Sequence, residues 1–484
     1  MSEIQARAAA PDTASDQVPL RALARSRPVV VAPASTVRAT LQRIAEAGGD
    51  VAIVADPTSG LPLGLIRLPE MLSLIDESGG LDGPVAAAML GAPLTIAADA
   101  PAHRARVMMA KRGVAHVLLT EPDGRLFGLV GQADLLGPRV AGAEALIGAI
   151  NAARDLAAMT AAADAVRRRA AELLRSGMAV EPLCQWLSGL NDLIGMRTIE
   201  LIEDEYDLPP VPWCWMVFGS EGRMEQTFAT DQDNGLLFVP SAPERTEEVR
   251  QAFLPFARAV NEALHHCGFE RCRGGIMAGN AACCLSAEEW QGRFAAWLRV
   301  PQPQALLNGT IFFDFRPLYG NDEPVDRLRA WLAAEAPGHD RFFRALAEQA
   351  LAVAPPLGWG GRLRSDRNRE HPRTIDLKVR GARLFTDAAR LWALREGVWA
   401  TGTADRLRAV AAARRWGGAD TAAEIEAFHL VQRFRFERQL QTRDPEAANR
   451  VAPSALNELR RMMLKEALRQ ARRLQLRLRQ EHGL

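Results

Sequence analysis

The chain has 484 residues, 48% of them hydrophobic, and its 59 basic and 58 acidic side chains leave a net charge of +1. That length suits about three domains with a substantial buried core, and the balanced charge gives no overall drive toward nucleic acid or membrane. No run approaches the roughly 20 apolar residues of a membrane helix, and six cysteines are too few for a disulfide scaffold of this size. No signal-peptide core stands at the N-terminus, so a cytoplasmic protein is expected.

Residues 1–20, rich in Ala, Ser, Asp, Pro and Gln, read as a disordered leader. An internal repeat fills 21–138. At an ungapped offset of 64, Val51-Ala52-Ile53-Val54 falls on Ala115-His116-Val117-Leu118, and Leu63-Gly64-Leu65-Ile66 falls on Phe127-Gly128-Leu129-Val130. Gly60 falls on Gly124, and Gly49 on Gly113, where each closes an amphipathic helical stretch. The repeat resembles a tandem CBS pair, which implies a pseudo-symmetric module with a cleft for adenine nucleotides. Adenosine-binding members carry Gly-x-x-Thr/Ser-x-x-Asp after the last strand. Here Gly128 to Asp134 keeps the acid but has Gly131 for the hydroxyl, and Gly64 to Glu70 has Arg67 and Glu70 at those places. The resemblance implies Asp134 as a ribose partner; a purely structural or dimerising role stands beside it, and a homodimer is the default expectation.

Residues 139–207 are Ala-, Leu- and Arg-rich with helical period and read as a helical connector. Leu208-Pro209-Pro210-Val211-Pro212 is an extended lead-in. The apolar run Trp215-Met216-Val217-Phe218 then breaks at Gly219-Ser220, which reads as a strand feeding a loop and helix. Asp231 and Asp233 follow, then Leu236, Leu237 and Phe238. A second strand is expected to carry both aspartates, on one face by its period of two. Two carboxylates ~4 Å apart repel by roughly 4 kcal/mol at an effective dielectric of ~20. A hard divalent cation removes that cost, and a Gly-Ser turn can bring backbone N–H groups to a phosphate.

This pattern resembles the nucleotidyltransferase superfamily. The fuller form, Gly219-Ser220-Glu221-Gly222-Arg223-Met224-Glu225 with Thr230-Asp231-Gln232-Asp233-Asn234, is similar to the PII-protein uridylyltransferases. It resembles more closely the bacterial nucleotidyltransferases that carry paired CBS modules, although those usually have Gly where this chain has Met224. The superfamily uses a third carboxylate on a later strand, and residues 310–319 offer an aromatic strand interrupted by Asp314. The resemblance makes Asp314 a metal carboxylate or the base for the acceptor hydroxyl; an ion pair with Arg316 is the alternative. Gly274 to Asn280 reads as a Gly-rich turn that shapes the pocket wall. His265, His266, Cys267 and Cys272 lack a second zinc-ligand pair, so the thiols read as buried or incidental.

Beyond 325 the pattern is almost wholly helical. Lysine occurs only at 111, 378 and 465, so Lys378 stands out as a compact charge for a phosphate; the alternative is a solvated lysine paired with Asp376 or Glu370. The last helix has apolar positions Leu456, Leu459, Met463, Ala467, Ala471, Leu474 and Leu478 in steps of three and four. Its arginines read as a solvated face, because acids are interspersed and no aromatic side chains offer stacking for RNA.

The expected fold is thus α/β plus all-α: a CBS pair over 21–138, the connector over 139–207, a mixed-sheet nucleotidyltransferase domain over 208–325 and a helical bundle over 326–484. The resemblance implies Mg²⁺, or Mn²⁺, on Asp231, Asp233 and Asp314, with a nucleoside triphosphate at Gly219, Ser220, Gly222, Arg223 and Lys378. A protein hydroxyl is the implied acceptor. A catalytically silent nucleotide sensor that binds a partner is the competing reading.

Overall fold

A computed structural model describes all residues except 1–18, 25–27, 48–50, 69, 72–79, 90–92, 113, 115, 137–141, 302–309, 367 and 443. Nearly all of the expected leader and the Gly49 and Gly113 helix ends lie outside the described residues. The chain forms two compact units, residues 1–143 and 144–484.

In the first unit, β1 (Val29–Val31), α1 (Val37–Ala47), β2 (Val51–Ala55) and β3 (Pro62–Arg67) are repeated as β4 (Thr95–Ala97), α2 (Ala102–Arg112), β5 (His116–Thr120) and β6 (Leu126–Gly131). Each three-stranded sheet pairs its first two strands in parallel and the next two antiparallel. The parallel step requires a crossover, which each helix supplies. Val51 pairs with Arg67 and His116 with Gly131, so the structural equivalent of Val51 is His116. The ungapped offset is therefore one residue out on β2/β5 and correct on β3/β6, because the second hairpin loop is one residue shorter. Val51, Ile53, Leu118 and Leu129 form a buried cluster that joins the two repeats.

The second unit begins with α3 (Ala143–Ala152), α4 (Leu156–Arg175) and α5 (Val180–Glu203). The region expected as a connector is helical, and α5 is almost continuously buried from Leu183 to Ile199 within this unit. The mixed sheet has the order β10-β7-β8-β9, built from β7 (Trp213–Val217), β8 (Asn234–Phe238), β9 (Cys284–Ser286) and β10 (Arg316–Gly320). Only β8 and β9 run parallel. Between β8 and β9 lies α6 (Thr246–His266), and α7 (Ala287–Arg299) follows β9 behind a Ser286/Glu289 capping box.

Two strands differ from expectation. β8 begins at Asn234, so both aspartates precede it; Asp231 makes only an isolated bridge to Glu270. The aromatic segment folds as a tight turn over Thr310–Phe313, and β10 starts at Arg316, leaving Asp314 at the bend between them.

The helical part comprises α8 (Glu323–Glu335), α9 (Asp340–Ala352), α10 (Arg383–Arg395), α11 (Thr403–Arg414), α12 (Gly418–Gln439) and α13 (Glu458–His482). One continuous core runs from Cys214, Phe218 and Trp290 through Phe342 and Trp392 to Leu478, so sheet and bundle share their interior. The buried stripe of α13 is Leu464, Ala467, Leu468, Ala471, Leu474 and Leu478. Leu459 and Met463, expected in that stripe, are exposed, because the helix reaches the bundle only after its second turn.

Candidate active site: a glycine turn against two aspartates

β7 runs through extended Phe218 into the one-turn helix Gly219–Gly222. The Phe218 N–H donates to the Asp233 carbonyl at 2.7 Å, which ties the turn to the aspartate segment. Gly219 has φ +56, and a Cβ there would lie 2.9 Å from Asp233 Oδ2 and from Ile311. Glycine is needed both for the backbone angle and for the close approach. Gly222 serves a different purpose. Its Cβ would sit 1.9 Å from the Asp314 carbonyl oxygen, so it packs against backbone and does not face a phosphate. Met224 adopts φ 58, a left-handed conformation that costs a side-chain-bearing residue about 1–2 kcal/mol and that glycine would adopt without that cost. Ser220 is half-buried beside the turn.

Asp233 is 8% exposed. Burial first, then the neighbouring Asp231 charge, push its carboxyl up to about 6, against relief from the Cys272 thiol hydrogen bond, Lys378 and Arg223. Asp231 is about half exposed and accepts from Lys378 Nζ at 3.1 Å. The lysine singled out for its rarity thus reaches the aspartate pair, while Asp376 instead accepts from the Lys378 backbone N–H at 2.9 Å. Gln232 and Asn234 fix the segment from behind. Asn261 Nδ2 donates to Gln232 Oε1 and Asn234 Oδ1, both at 2.9 Å, and Asn234 Oδ1 also accepts from the Ala278 N–H. The Gly-rich turn therefore anchors the aspartate segment, closing with the Gly279 N–H on Asn261 Oδ1 at 2.8 Å.

Asp314 is not a third metal carboxylate in this geometry. It is fully buried, and both of its oxygens are taken by arginines. Arg223 Nη1 donates to Oδ2 at 2.6 Å, Arg390 donates to both oxygens at 2.9 and 2.6 Å, and Arg406 donates to Oδ1. Burial alone would raise this carboxyl, but Arg390, Arg406 and Arg223 outweigh it and hold the group well below the usual range. Such a group is a poor base. Among the described residues, no three His, Cys, Asp or Glu side chains gather as a metal cluster. Asp231 and Asp233 are the carboxylates that stand beside the glycine turn, while Asp314 is engaged by arginines behind it. Arg316 pairs with Asp192 at 2.7 Å, not with Asp314.

Arg223 is committed as well: its Nε donates to Glu225 at 2.8 Å, and Glu225 accepts from the Thr403 N–H. Asp314, Arg223 and Glu225 thus join the glycine turn to α10 and α11. Arg390, Arg406 and Asn261 went unrecognised in the sequence, Glu225 was noted only within the motif, and Cys272, read as incidental, bonds Asp233; an arginine between Ala389 and Leu391 on an apolar helix was the available signal. All six cysteines are free. In the first unit, Asp134 Oδ2 accepts from the Gly131 N–H at 2.8 Å.

The family described as "Putative nucleotidyltransferase DUF294" matches residues 164–304, and the "Putative nucleotidyltransferase substrate binding domain" matches 340–482. The first match spans the glycine turn and both aspartates. The chain carries a DUF294 nucleotidyltransferase domain followed by the substrate binding domain of that family. A CBS domain matches 85–138, the second repeat. Among solved structures, a CBS domain protein of Pyrobaculum aerophilum complexed with AMP is 22% identical with a TM-score of 0.24, covering 25% of this chain and 93% of its own. An uncharacterised conserved protein of Pyrococcus horikoshii is 20% identical with a TM-score of 0.24, covering 26% and 96%. Comparison with curated proteins gave no match. No helix among the described residues is long and apolar enough to cross a membrane.

Proposed function

We propose that this protein transfers a nucleoside monophosphate from a nucleoside triphosphate to a protein hydroxyl, as PII uridylyltransferases do. The observation that carries the reading is the approach of Gly219 to buried Asp233, a cradle that a single Cβ would fill. An ionised Asp233 in that setting is under-compensated, and Mg²⁺ or Mn²⁺ on Asp231 and Asp233 fits the donor set. The ion would supply charge neutralisation for triphosphate oxygens. The Gly219-Ser220 turn would offer backbone N–H groups to the phosphates, and Lys378 would exchange Asp231 for phosphate. Arg223 and Asp314 act differently from the expectation, holding the turn rigid from behind. In the first unit, Asp134 is the proposed ribose partner for an adenine nucleotide.

A silent nucleotide sensor is favoured by one observation, the commitment of Asp314 to arginines, which leaves two acids where three were expected. Pyrophosphate release from ATP, UTP, GTP and CTP with Mg²⁺, water being the only acceptor, separates the readings. The transferase reading expects slow release from one triphosphate, abolished by Asp231→Ala. Binding of a triphosphate with no release would favour the sensor.

A further inference from the structure

The first two turns of α13 carry apolar side chains left open among the described residues: Leu459, Met462 and Met463 are 62%, 54% and 41% exposed. Met462 borders a groove of about 590 Å³ whose opposite wall includes Arg362 and Leu363. That wall is a built turn. The Gly358 N–H donates to the Arg362 carbonyl at 2.7 Å and the Gly361 N–H to the Gly358 carbonyl at 3.0 Å. Gly361 lies close to Lys465 and Arg469 of α13, within 3.4 Å by its virtual Cβ. The turn holds Trp359 99% exposed. Leaving such a side chain in water forgoes its burial, and clustered exposed apolar groups mark interaction surfaces.

The charge of the groove is as one-sided as its apolar rim. Arg362, Arg373, Arg461 and Lys465 line it, against Glu458 as the single acid. Among the described residues none of these four cations has a carboxylate in salt-bridge range; Arg461 donates only to the Leu456 carbonyl at 3.1 Å. In a chain of net charge +1 this is segregation, not a general excess. The groove falls inside residues 340–482, the part matched as a substrate binding domain.

We infer that this groove docks the protein acceptor through an acidic, extended segment bearing an aliphatic side chain, an inference that rests on the protein-acceptor reading above. The unpaired cations meet the acids, and Met462 and Leu363, which line the groove, receive the aliphatic group, with methionine adapting to its shape. Trp359, exposed on the turn that carries Arg362, offers a further apolar contact. A nucleic acid shares the charge complementarity but calls for successive stacking aromatics, whereas this face is aliphatic and thioether apart from Trp359.

The test is an immobilised library of random peptides about ten residues long, probed with the full chain at low salt. The expected selection is Asp/Glu-rich with one Leu, Ile or Met. Arg461→Glu/Lys465→Glu should weaken the selected peptides at least about tenfold and shift selection toward basic sequences, with melting and Mg²⁺-triphosphate binding unchanged. Asp231→Ala should leave the selection intact. Triphosphate turnover without acidic selection would overturn the groove alone, and acidic selection without turnover would overturn the transferase reading alone. The docking inference also fails if wild type prefers basic peptides, if the reversal keeps the acidic preference, or if an oligouridylate binds tighter than every peptide and is lost in the same variant.

Discussion

Asp314→Asn separates a structural from a catalytic carboxylate. The substitution keeps the shape but removes the one anion that, among the described residues, faces all three guanidiniums of Arg223, Arg390 and Arg406, whose side chains are 13%, 6% and 3% exposed. Breaking one buried pair costs about 3–5 kcal/mol because a charge is left uncompensated. Here Glu225 and Asp387 still face Arg223 and Arg390, so the loss should stay near 4 kcal/mol rather than triple. That is a large part of the roughly 5–15 kcal/mol that stabilises a typical domain. All ten tryptophans lie in the second unit, so urea melts followed by tryptophan fluorescence report on that unit alone. The folded Asp314 carboxyl lies below its ordinary value of 3.8, so the folded state binds fewer protons there than the unfolded state. Its stabilisation is complete above about pH 4–5 and fades as pH falls through the folded value. The difference between wild type and Asp314→Asn should therefore be constant from pH 6 to 8 and shrink only in acid. A destabilisation under about 1 kcal/mol at pH 7, with activity abolished, would refute the reasoning and return Asp314 to the metal.

Three further outcomes follow from the same geometry. Gly219→Ala should cut Mg²⁺-triphosphate affinity at least about tenfold in calorimetry for roughly 1–2 kcal/mol of stability, whereas Gly222→Ala should unfold the turn, its Cβ meeting the Asp314 carbonyl at 1.9 Å. Asp231→Ala should leave the urea midpoint nearly unchanged, since its half-exposed pair with Lys378 is worth at most about 1 kcal/mol, while abolishing metal-dependent binding. Asp233, raised to about 6, is neutral below that pH and ionised above it. Mg²⁺ affinity should therefore fall as pH drops through about 6 and level off above about 7, a midpoint that calorimetry across pH 5–8 would locate.

What could be read from the sequence was local. A strand, a Gly-Ser turn and a second strand are encoded within residues 213–238, and the structure pairs the two strands in one sheet with the turn as a short helix between them; only the start of β8, expected at Asp231, was misjudged. The CBS repeat was legible from paired apolar runs, and a one-residue loop difference displaced half of the alignment. The arginine contacts of Asp314 were not legible because its partners are distant: Arg390 and Arg406 lie 76 and 92 residues further on, and no local pattern brings them together. Arg316, two residues on, was the obvious partner and pairs with Asp192. Lys378 could be picked out only by its scarcity, and its contact with Asp231 spans 147 residues. In α13, steps of three and four fit two phases of the helix at its start, and packing selected the phase that begins at Leu464.

Calorimetric titration of ATP, UTP, GTP and CTP with Mg²⁺, on wild type and on Asp231→Ala/Asp233→Ala, tests the central claim most directly. The account predicts metal-dependent binding of one triphosphate to wild type and its loss in the double variant. Undiminished binding in the double variant would contradict it and remove the nucleotide from the glycine turn.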